Sequence, residues 1–325
     1  MRRRQFITVL GGAAASLMPQ PVRSQRSAKL PRLGIALFST PRNDPSNQAL
    51  VRGMSELGYV DGQNIVLEYR FAEGRPERMP ELAADLVRLN PDMIFALGGD
   101  VAPAISKATR TIPIAFAVST DPVTSGLVQS LARPGGNATG VTFLLDELAA
   151  KRLVLLKEAV PQLSRVAVLF NPDHVDNEVR EVERAATILQ VKLHPAEVRR
   201  AGDLEGALAA VLQAGVDGLY VVSSRQTVAN MTRITEFADK NRLPLAGGWG
   251  AWAQAGGLIS YGPNVGEMVR QSASYVDKIL RGASPAELPV QQPTHFELLI
   301  NLKAAKALGL ALTEAFLLRA DKVIE

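Results

Sequence analysis

The sequence predicts an α/β protein built as two doubly wound parallel-sheet lobes joined by three crossovers. Three observations carry that expectation. From Leu33 onward, short uninterrupted apolar runs rich in branched residues alternate with longer segments of helical period. That is the pattern of parallel strands covered by helices on both faces. The series then runs twice, because Leu33-Gly-Ile-Ala-Leu-Phe-Ser39-Thr40 is echoed by Arg165-Val-Ala-Val-Leu-Phe-Asn171-Pro172. Finally, 325 residues exceed what one hydrophobic core usually serves.

The elements follow in order. Strands are expected over residues 33–38, 65–69, 93–97, 112–118, 166–170, 191–195, 219–222 and 258–261, each a short apolar run that a sheet buried on both faces requires. Helices are expected where apolar residues recur every three or four positions: Leu50, Met54 and Leu57; Met79, Leu82, Ala83 and Leu86; Val175, Val179, Val182 and Ala186; Leu204, Ala207, Leu208, Val211 and Leu212. Asp44 before Pro45, and Asp121 before Pro122, read as helix starts, with a capping carboxylate and proline at the first helical position. A first junction falls at residues 140–147, where Val141-Thr142-Phe143 runs into a helix carrying Leu148, Leu153, Leu156 and Val160. Two further crossings, at residues 260–264 and 283–293, flank a long helix with Val265, Met268, Val269, Val276 and Ile279. The expected division is therefore 31–143 plus 263–288 for one lobe, and 144–262 plus 289–325 for the other.

Residues 1–24 read as an export signal. Arg2, Arg3 and Arg4 precede an uncharged run over residues 8–18, followed by Pro19 and Pro21. Gly11 and Gly12 sit mid-run, where each costs an ordinary helix about 1 kcal/mol. The run is too short to span a membrane. Paired arginines ahead of Phe6 favour the twin-arginine route, and Val22 and Ser24 place cleavage after Ser24. The leader also holds Arg23 and no acidic residue, so its removal takes away the whole net charge of +4. A neutral mature chain without basic runs interleaved with aromatics gives nucleic-acid binding no support. The absence of cysteine excludes disulfides, thiol catalysis, thiolate metal sites and a lipid-anchored N-terminal cysteine.

In a doubly wound lobe, ligands bind beyond the carboxyl ends of the strands. The residues there are Ser39 and Thr40; Gly98, Gly99 and Asp100; Ser119, Thr120 and Asp121; Asn171; Ser223 and Ser224; Gly247, Gly248 and Trp249; and Tyr261. These short polar side chains, glycines and aromatics suit a small zwitterion and include no nucleophile with a neighbouring base. Each also has a plainer role, since Ser, Thr, Asn and Asp at strand ends cap helices and form turns. Asp121 is the sharpest case, a partner for a ligand ammonium or a helix cap. His174, His194 and His295 are far apart in sequence, with no ligand at helical metal spacing, so no metal site is expected. Gly98-Gly99 lacks the rest of a phosphate-binding loop, and no cofactor motif occurs.

Longer segments resemble a single bacterial family. They are Glu56-Leu-Gly-Tyr-Val-Asp-Gly-Gln-Asn64, Glu68-Tyr-Arg70, Thr111-Ile-Pro-Ile-Ala-Phe116, Thr120-Asp-Pro-Val123, Gly126-Leu-Val-Gln-Ser-Leu-Ala-Arg-Pro-Gly-Gly-Asn137-Ala-Thr-Gly-Val-Thr142, Gly257-Leu-Ile-Ser-Tyr-Gly-Pro263 and Ile300-Asn-Leu-Lys-Ala-Ala-Lys-Ala-Leu-Gly309. Together they are similar to the ABC transporter substrate-binding family that includes tryptophan- and tyrosine-binding lipoproteins. The resemblance implies a type I periplasmic binding fold that holds a small molecule, an amino acid, between its lobes, and the named relatives point to an aromatic one. It implies a monomer without enzymatic activity or cofactor, serving an ABC permease of the inner membrane. By position it carries ligand contacts onto Ser39, Thr40, Ser119, Thr120, Asp121, Asn171, Ser223 and Ser224, and more loosely onto Gly98 and Gly99. Two departures stand out. The missing cysteine points to a free periplasmic protein, and Ser223-Ser224 stands where relatives often carry other polar residues, which leaves the ligand open. A sensing role beside a receptor, or an exported enzyme, are the alternative readings.

Overall fold

The computed structural model describes residues 29–40, 44–143, 146–174 and 176–325. The leader expected over 1–24, and Val175 of one expected helix, lie outside the described residues. The first lobe is a five-stranded sheet of β1 (Arg32–Leu37), β2 (Val66–Phe71), β3 (Met93–Leu97), β4 (Ile114–Val118) and β5 (Ala138–Thr142). All neighbours are parallel, in the order β2-β1-β3-β4-β5. Every residue of β3 and β4 is buried, which is why both read as unbroken apolar runs.

The second lobe winds the same way. Its strands β6 (Arg165–Phe170), β7 (Lys192–Glu197), β8 (Gly218–Val221), β9 (Leu245–Gly247) and β10 (Ile259–Gly262) lie in the order β7-β6-β8-β9-β10, so β6 occupies the place of β1. The sequence echo between residues 33–40 and 165–172 is thus a structural repeat. Pro195 is tolerated in β7 because that strand lies at the sheet edge. Two strands outside the repeat, β11 (Glu297–Asn301) and β12 (Lys322–Ile324), extend the sheet beyond β10. β11 runs antiparallel to β10, so this sheet is not purely parallel.

Helices cover both sheets. In the first lobe these are α1 (Pro45–Glu56), α2 (Met79–Arg88) and α3 (Val101–Ala108). In the second they are α4 (Ala149–Ala159), α5 (Glu178–Leu189), α6 (Leu204–Gln213), α7 (Arg225–Ala229), α8 (Met231–Lys240) and α9 (Gly250–Gln254). The long α10 (Val265–Leu280) returns to the first lobe, and the short α11 (Leu302–Ala307) and α12 (Glu314–Leu317) close the chain around β12. Asp44 caps α1 as its sequence suggests, its Oδ1 accepting from the Ser46 and Asn47 amides with Pro45 in the first turn. Asp121 differs. Pro122 opens a turn, not a helix, and the Asp121 carboxylate accepts from the Val123 amide and the Thr124 hydroxyl at 2.8 and 2.7 Å.

The chain crosses between lobes after β5 into α4, after β10 into α10, and again before β11. α10 packs along α1, where Gly53 permits the approach: a Cβ there would collide with the Arg270 carbonyl oxygen. On the third passage the backbone still runs beside β5 at Gln291, whose amide donates to Gly140 and whose carbonyl accepts from Thr142. The carboxyl ends of both sheets consequently face one another, and residues beyond them meet across the gap.

Candidate ligand-binding cavity

A cavity of about 730 Å³ lies between the lobes. The first lobe contributes Ser39 and Thr40 beyond β1, Asp44 to Ser46 at the start of α1, and Glu73 and Gly74 beyond β2. Across from them stand Arg225 at the start of α7, Val228, Met231, and Trp249 with the first turn of α9. The passage into α10 and the β11 residues Glu297 and Leu299 complete the wall. One stretch is therefore apolar, formed by Val228, Met231, Trp249 and Leu299, and the other is polar.

The polar stretch centres on two buried charges. Asp44 Oδ1 is committed to the α1 cap, while its Oδ2 stands 3.7 Å from Nη1 of Arg225. That pair bridges the lobes, since Asp44 belongs to the first and Arg225 to the second. Gln226 makes a second bridge, donating through Nε2 to the Gly74 carbonyl at 3.4 Å. Trp249 packs edge-on against Phe143, and its buried indole N–H has no hydrogen-bond partner among the described residues. Glu73 stays at the rim, where Arg78 and then Arg75 hold its carboxyl below the usual range.

Beside the cavity the lobes meet through a closed polar seam. His174, beyond β6, places Nδ1 3.0 Å from Asp100 Oδ1 and Nε2 3.1 Å from the Ser119 hydroxyl. Burial alone would lower the His174 pKa, but the charge and hydrogen bond of Asp100, with Asp176 and Glu178 behind, outweigh it and raise it. The order Asp100, His174, Ser119 matches the connectivity of a serine-hydrolase triad, here made as a contact between the two lobes. Asp176 stands 3.6 Å from Nε2, so the ring lies between two carboxylates. None of the three lines the cavity.

Behind this seam the second lobe buries a charged cluster. The Arg152 guanidinium donates to Glu178 and to the Tyr220 hydroxyl, and Tyr220 donates to Glu178 at 2.9 Å. Burial, opposed by Arg152 and reinforced by Asp176, pushes the Glu178 carboxyl up to about 7. Among the described residues no group of His, Asp and Glu could hold a metal ion, and no helix is long and apolar enough to cross a membrane.

The strand-end residues singled out by sequence separate into distinct places. Ser39, Thr40 and Trp249 line the cavity. Ser119 belongs to the seam, and Gly99 packs against Thr120 and His174 so closely that a Cβ would clash with both. Gly98 lies against the Arg225 side chain, and Gly248 against the Arg152 guanidinium. Ser223 accepts from the Trp252 indole at 3.0 Å, and Ser224 caps α7 in a reciprocal pair with Thr227. Asn171 closes a turn onto the Asp173 amide, Tyr261 rests on Phe296, and Asp121 is held in its turn. Asp44, Arg225 and the apolar residues of α7, α8 and β11 went unread as wall residues. Asp44 was visible only as a cap, and Arg225 stands one position beyond the serines on which strand-end reasoning stopped.

Comparison with known proteins agrees with this architecture. A curated relative, the tyrosine-binding protein of Clostridioides difficile (strain R20291), is 26% identical over 287 residues, 87% of this chain and 82% of the relative. A conserved domain protein from Vibrio cholerae has a solved structure that superposes with a TM-score of 0.84 at 29% identity, over 91% of this chain and 100% of the other. A Streptococcus pneumoniae ABC domain solved in complex with L-Trp superposes with a TM-score of 0.82 at 24% identity, over 91% and 100%. The family model described as ABC transporter substrate binding protein matches residues 35–324. Two lobes of one winding, a cavity between their carboxyl edges and a family match along nearly the whole chain lead to one statement: the chain belongs to the ABC transporter substrate binding protein family.

Proposed function

We propose that this protein is the solute-binding component of an ABC importer, exported through its leader to the periplasm, where it acts as a free monomer. Its solute is a small molecule, an amino acid of aromatic type, which it passes unaltered to an inner-membrane permease. The observation that carries this reading is the cavity itself. At about 730 Å³ it falls within the size range of small-molecule sites, and its division into an apolar wall and a buried ion pair matches a solute with a ring at one end and charges at the other.

The mechanism follows from where the wall residues sit. A solute docks on one lobe, and closure brings the other lobe's residues onto it and expels water. The solute stabilises the closed arrangement by its differential affinity for the two. The three passages beside the cavity act as the hinge. The seam of Asp100, Ser119 and His174 and the bond from Gln226 to Gly74 are contacts that opening would break. The tyrosine-binding relative and the L-Trp complex support the aromatic assignment.

Calorimetry of the chain from residue 25, freed of co-purified solute, tests this directly. L-tryptophan or L-tyrosine should bind one to one and raise unfolding stability by about 2.7 kcal/mol at a hundredfold excess over Kd. Absence of binding across an amino-acid panel, or chemical turnover of a bound compound, would overturn it.

A further inference from the structure

The geometry points to Arg225 as the residue that determines which solutes the cavity accepts: it takes a single carboxylate on a ligand whose body is apolar. This rests on the cavity being the ligand site. The Arg225 side chain is only 7% exposed, yet among the described residues its guanidinium makes no hydrogen bond to a protein acceptor. A guanidinium has five N–H donors in a planar fork, and on this largely buried side chain they open onto the cavity instead of onto a protein acceptor. Asp44 does not supply that acceptor. One of its oxygens is committed to the α1 cap, and the other stands at 3.7 Å, beyond hydrogen-bond reach. The fork is held, charged and unfilled, on the cavity wall.

A second observation shows that this berth is shaped for the side chain. Gly98 adopts a φ of +122°, which L side chains rarely tolerate, and a Cβ there would stand 2.5 Å from Arg225 Nε. The end of β3 is thus cut back where the guanidinium stem passes. Opposite lie Val228, Met231, Trp249 and Leu299, which would receive an apolar body. The charge balance limits the anion to one negative charge. Glu73 is already paired with Arg75 and Arg78, and Arg225 is the one cation among the described wall residues, so the wall offers a single fork that matches one carboxylate better than a dianion such as a phosphate monoester. A planar monocarboxylate answers the fork through two parallel hydrogen bonds and adds the least negative charge. In accepting it, Arg225 exchanges a loose contact with Asp44 for a full one, and Asp44 Oδ2 becomes free to receive a ligand ammonium.

The test uses three probes on the wild-type chain by calorimetry: L-tryptophan, L-tryptophanamide and indole-3-propionate. The amide keeps the ring and ammonium and lacks the carboxylate, whereas the propionate keeps ring and carboxylate and lacks the ammonium. L-tryptophan should bind at least about tenfold more tightly than its amide, the step expected for a charge-assisted hydrogen bond. Arg225→Met should erase that preference, and Arg225→Lys, which keeps the charge without the fork, should restore part of it. The ligand series needs no variant to fold, so it decides the matter even if Arg225→Met does not. If indole-3-propionate alone binds, the amino-acid reading falls and the role of Arg225 stands. If the amide equals L-tryptophan, Arg225 has no such role, while the solute-binding reading survives. Should none bind, mass spectrometry of the solute released from the purified protein decides: an acid supports the assignment and a neutral compound overturns it.

Discussion

The two lobes share a winding and differ in what they bury. In the first, the only Asp, Glu, Arg or His side chain buried among the described residues is Asp44, at the cavity. In the second, Arg152, His174, Glu178 and Arg225 are all buried on or behind the face that looks across at the first lobe. Duplicating a scaffold therefore did not duplicate its electrostatics. One lobe offers an apolar interior with hydroxyls and a helix cap at its edge, and the other concentrates charge. Charge buried in one lobe is costly unless partnered, and the carboxylates nearest two of these cations come from the opposite lobe, Asp100 in hydrogen-bond contact with His174 and Asp44 at a looser 3.7 Å from Arg225. The asymmetry makes closure an electrostatic event as well as a steric one.

The largest effect that would sharpen this contrast comes from Arg152. Arg152→Met leaves Glu178 and Tyr220 buried without their guanidinium, and removing one member of such a group costs about 3–5 kcal/mol. Urea denaturation should register that loss, and adding Glu178→Gln should recover part of it, because the stranded charge is then gone. A loss below about 1 kcal/mol would mean that the cluster is a passenger in its lobe.

Acid–base behaviour should follow the same lobe. Glu178 is raised from 4.5 to about 7, and His174 is raised above 6.5. Both hold protons in the folded chain that the unfolded chain has already released. Their contribution is complete below the unfolded values and is lost as pH rises through the folded ones, so stability should fall across the window from about 4.5 to beyond 6.5. For Glu178 alone the change is on the order of 3 kcal/mol. Glu178→Gln should flatten the lower part of the curve, and His174→Gln the upper part. A stability that rises through this window in the wild type would break the comparison.

How much of this was legible in the sequence depends on the kind of interaction. The repeat at Leu33 and Arg165, the fully buried β3 and the capped start of α1 are local or periodic, and the sequence shows them. β9 is marked in the sequence only by its end, at Gly247 to Trp249, because it is three residues long and ends in glycine, and β12 is not marked because it is three residues long at its edge of the sheet. β11 joins the second sheet only after the chain has returned from the first, and its pairing with β10 is set by that return. The cavity is a similar case. Ser39, Thr40 and Trp249 were visible as strand-end residues, but the rest of the wall comes from helix starts and from β11, which approach only when the two carboxyl edges face each other. Buried charge was the least legible of all. Nothing near Arg152 in sequence marks it, because Glu178 and Tyr220 lie 26 and 68 residues away.

The smallest expected effect separates two Asp-Pro pairs that look alike in sequence. Asp44 is buried, caps α1 and faces Arg225 across the cavity, whereas Asp121 holds an exposed turn through Val123 and Thr124 and is absent from the cavity wall. Asp121→Ala should cost about 0.5–1 kcal/mol of stability and leave solute affinity unchanged. Asp44→Ala should cost about 1 kcal/mol through the lost cap and should also change affinity, because the charge that faces Arg225 disappears with it. Calorimetry beside urea denaturation on both variants reads the two quantities separately. Equal losses of affinity would place Asp121 at the ligand and would mean that the lobes meet the solute in an arrangement other than the one with Arg225 opposite Asp44.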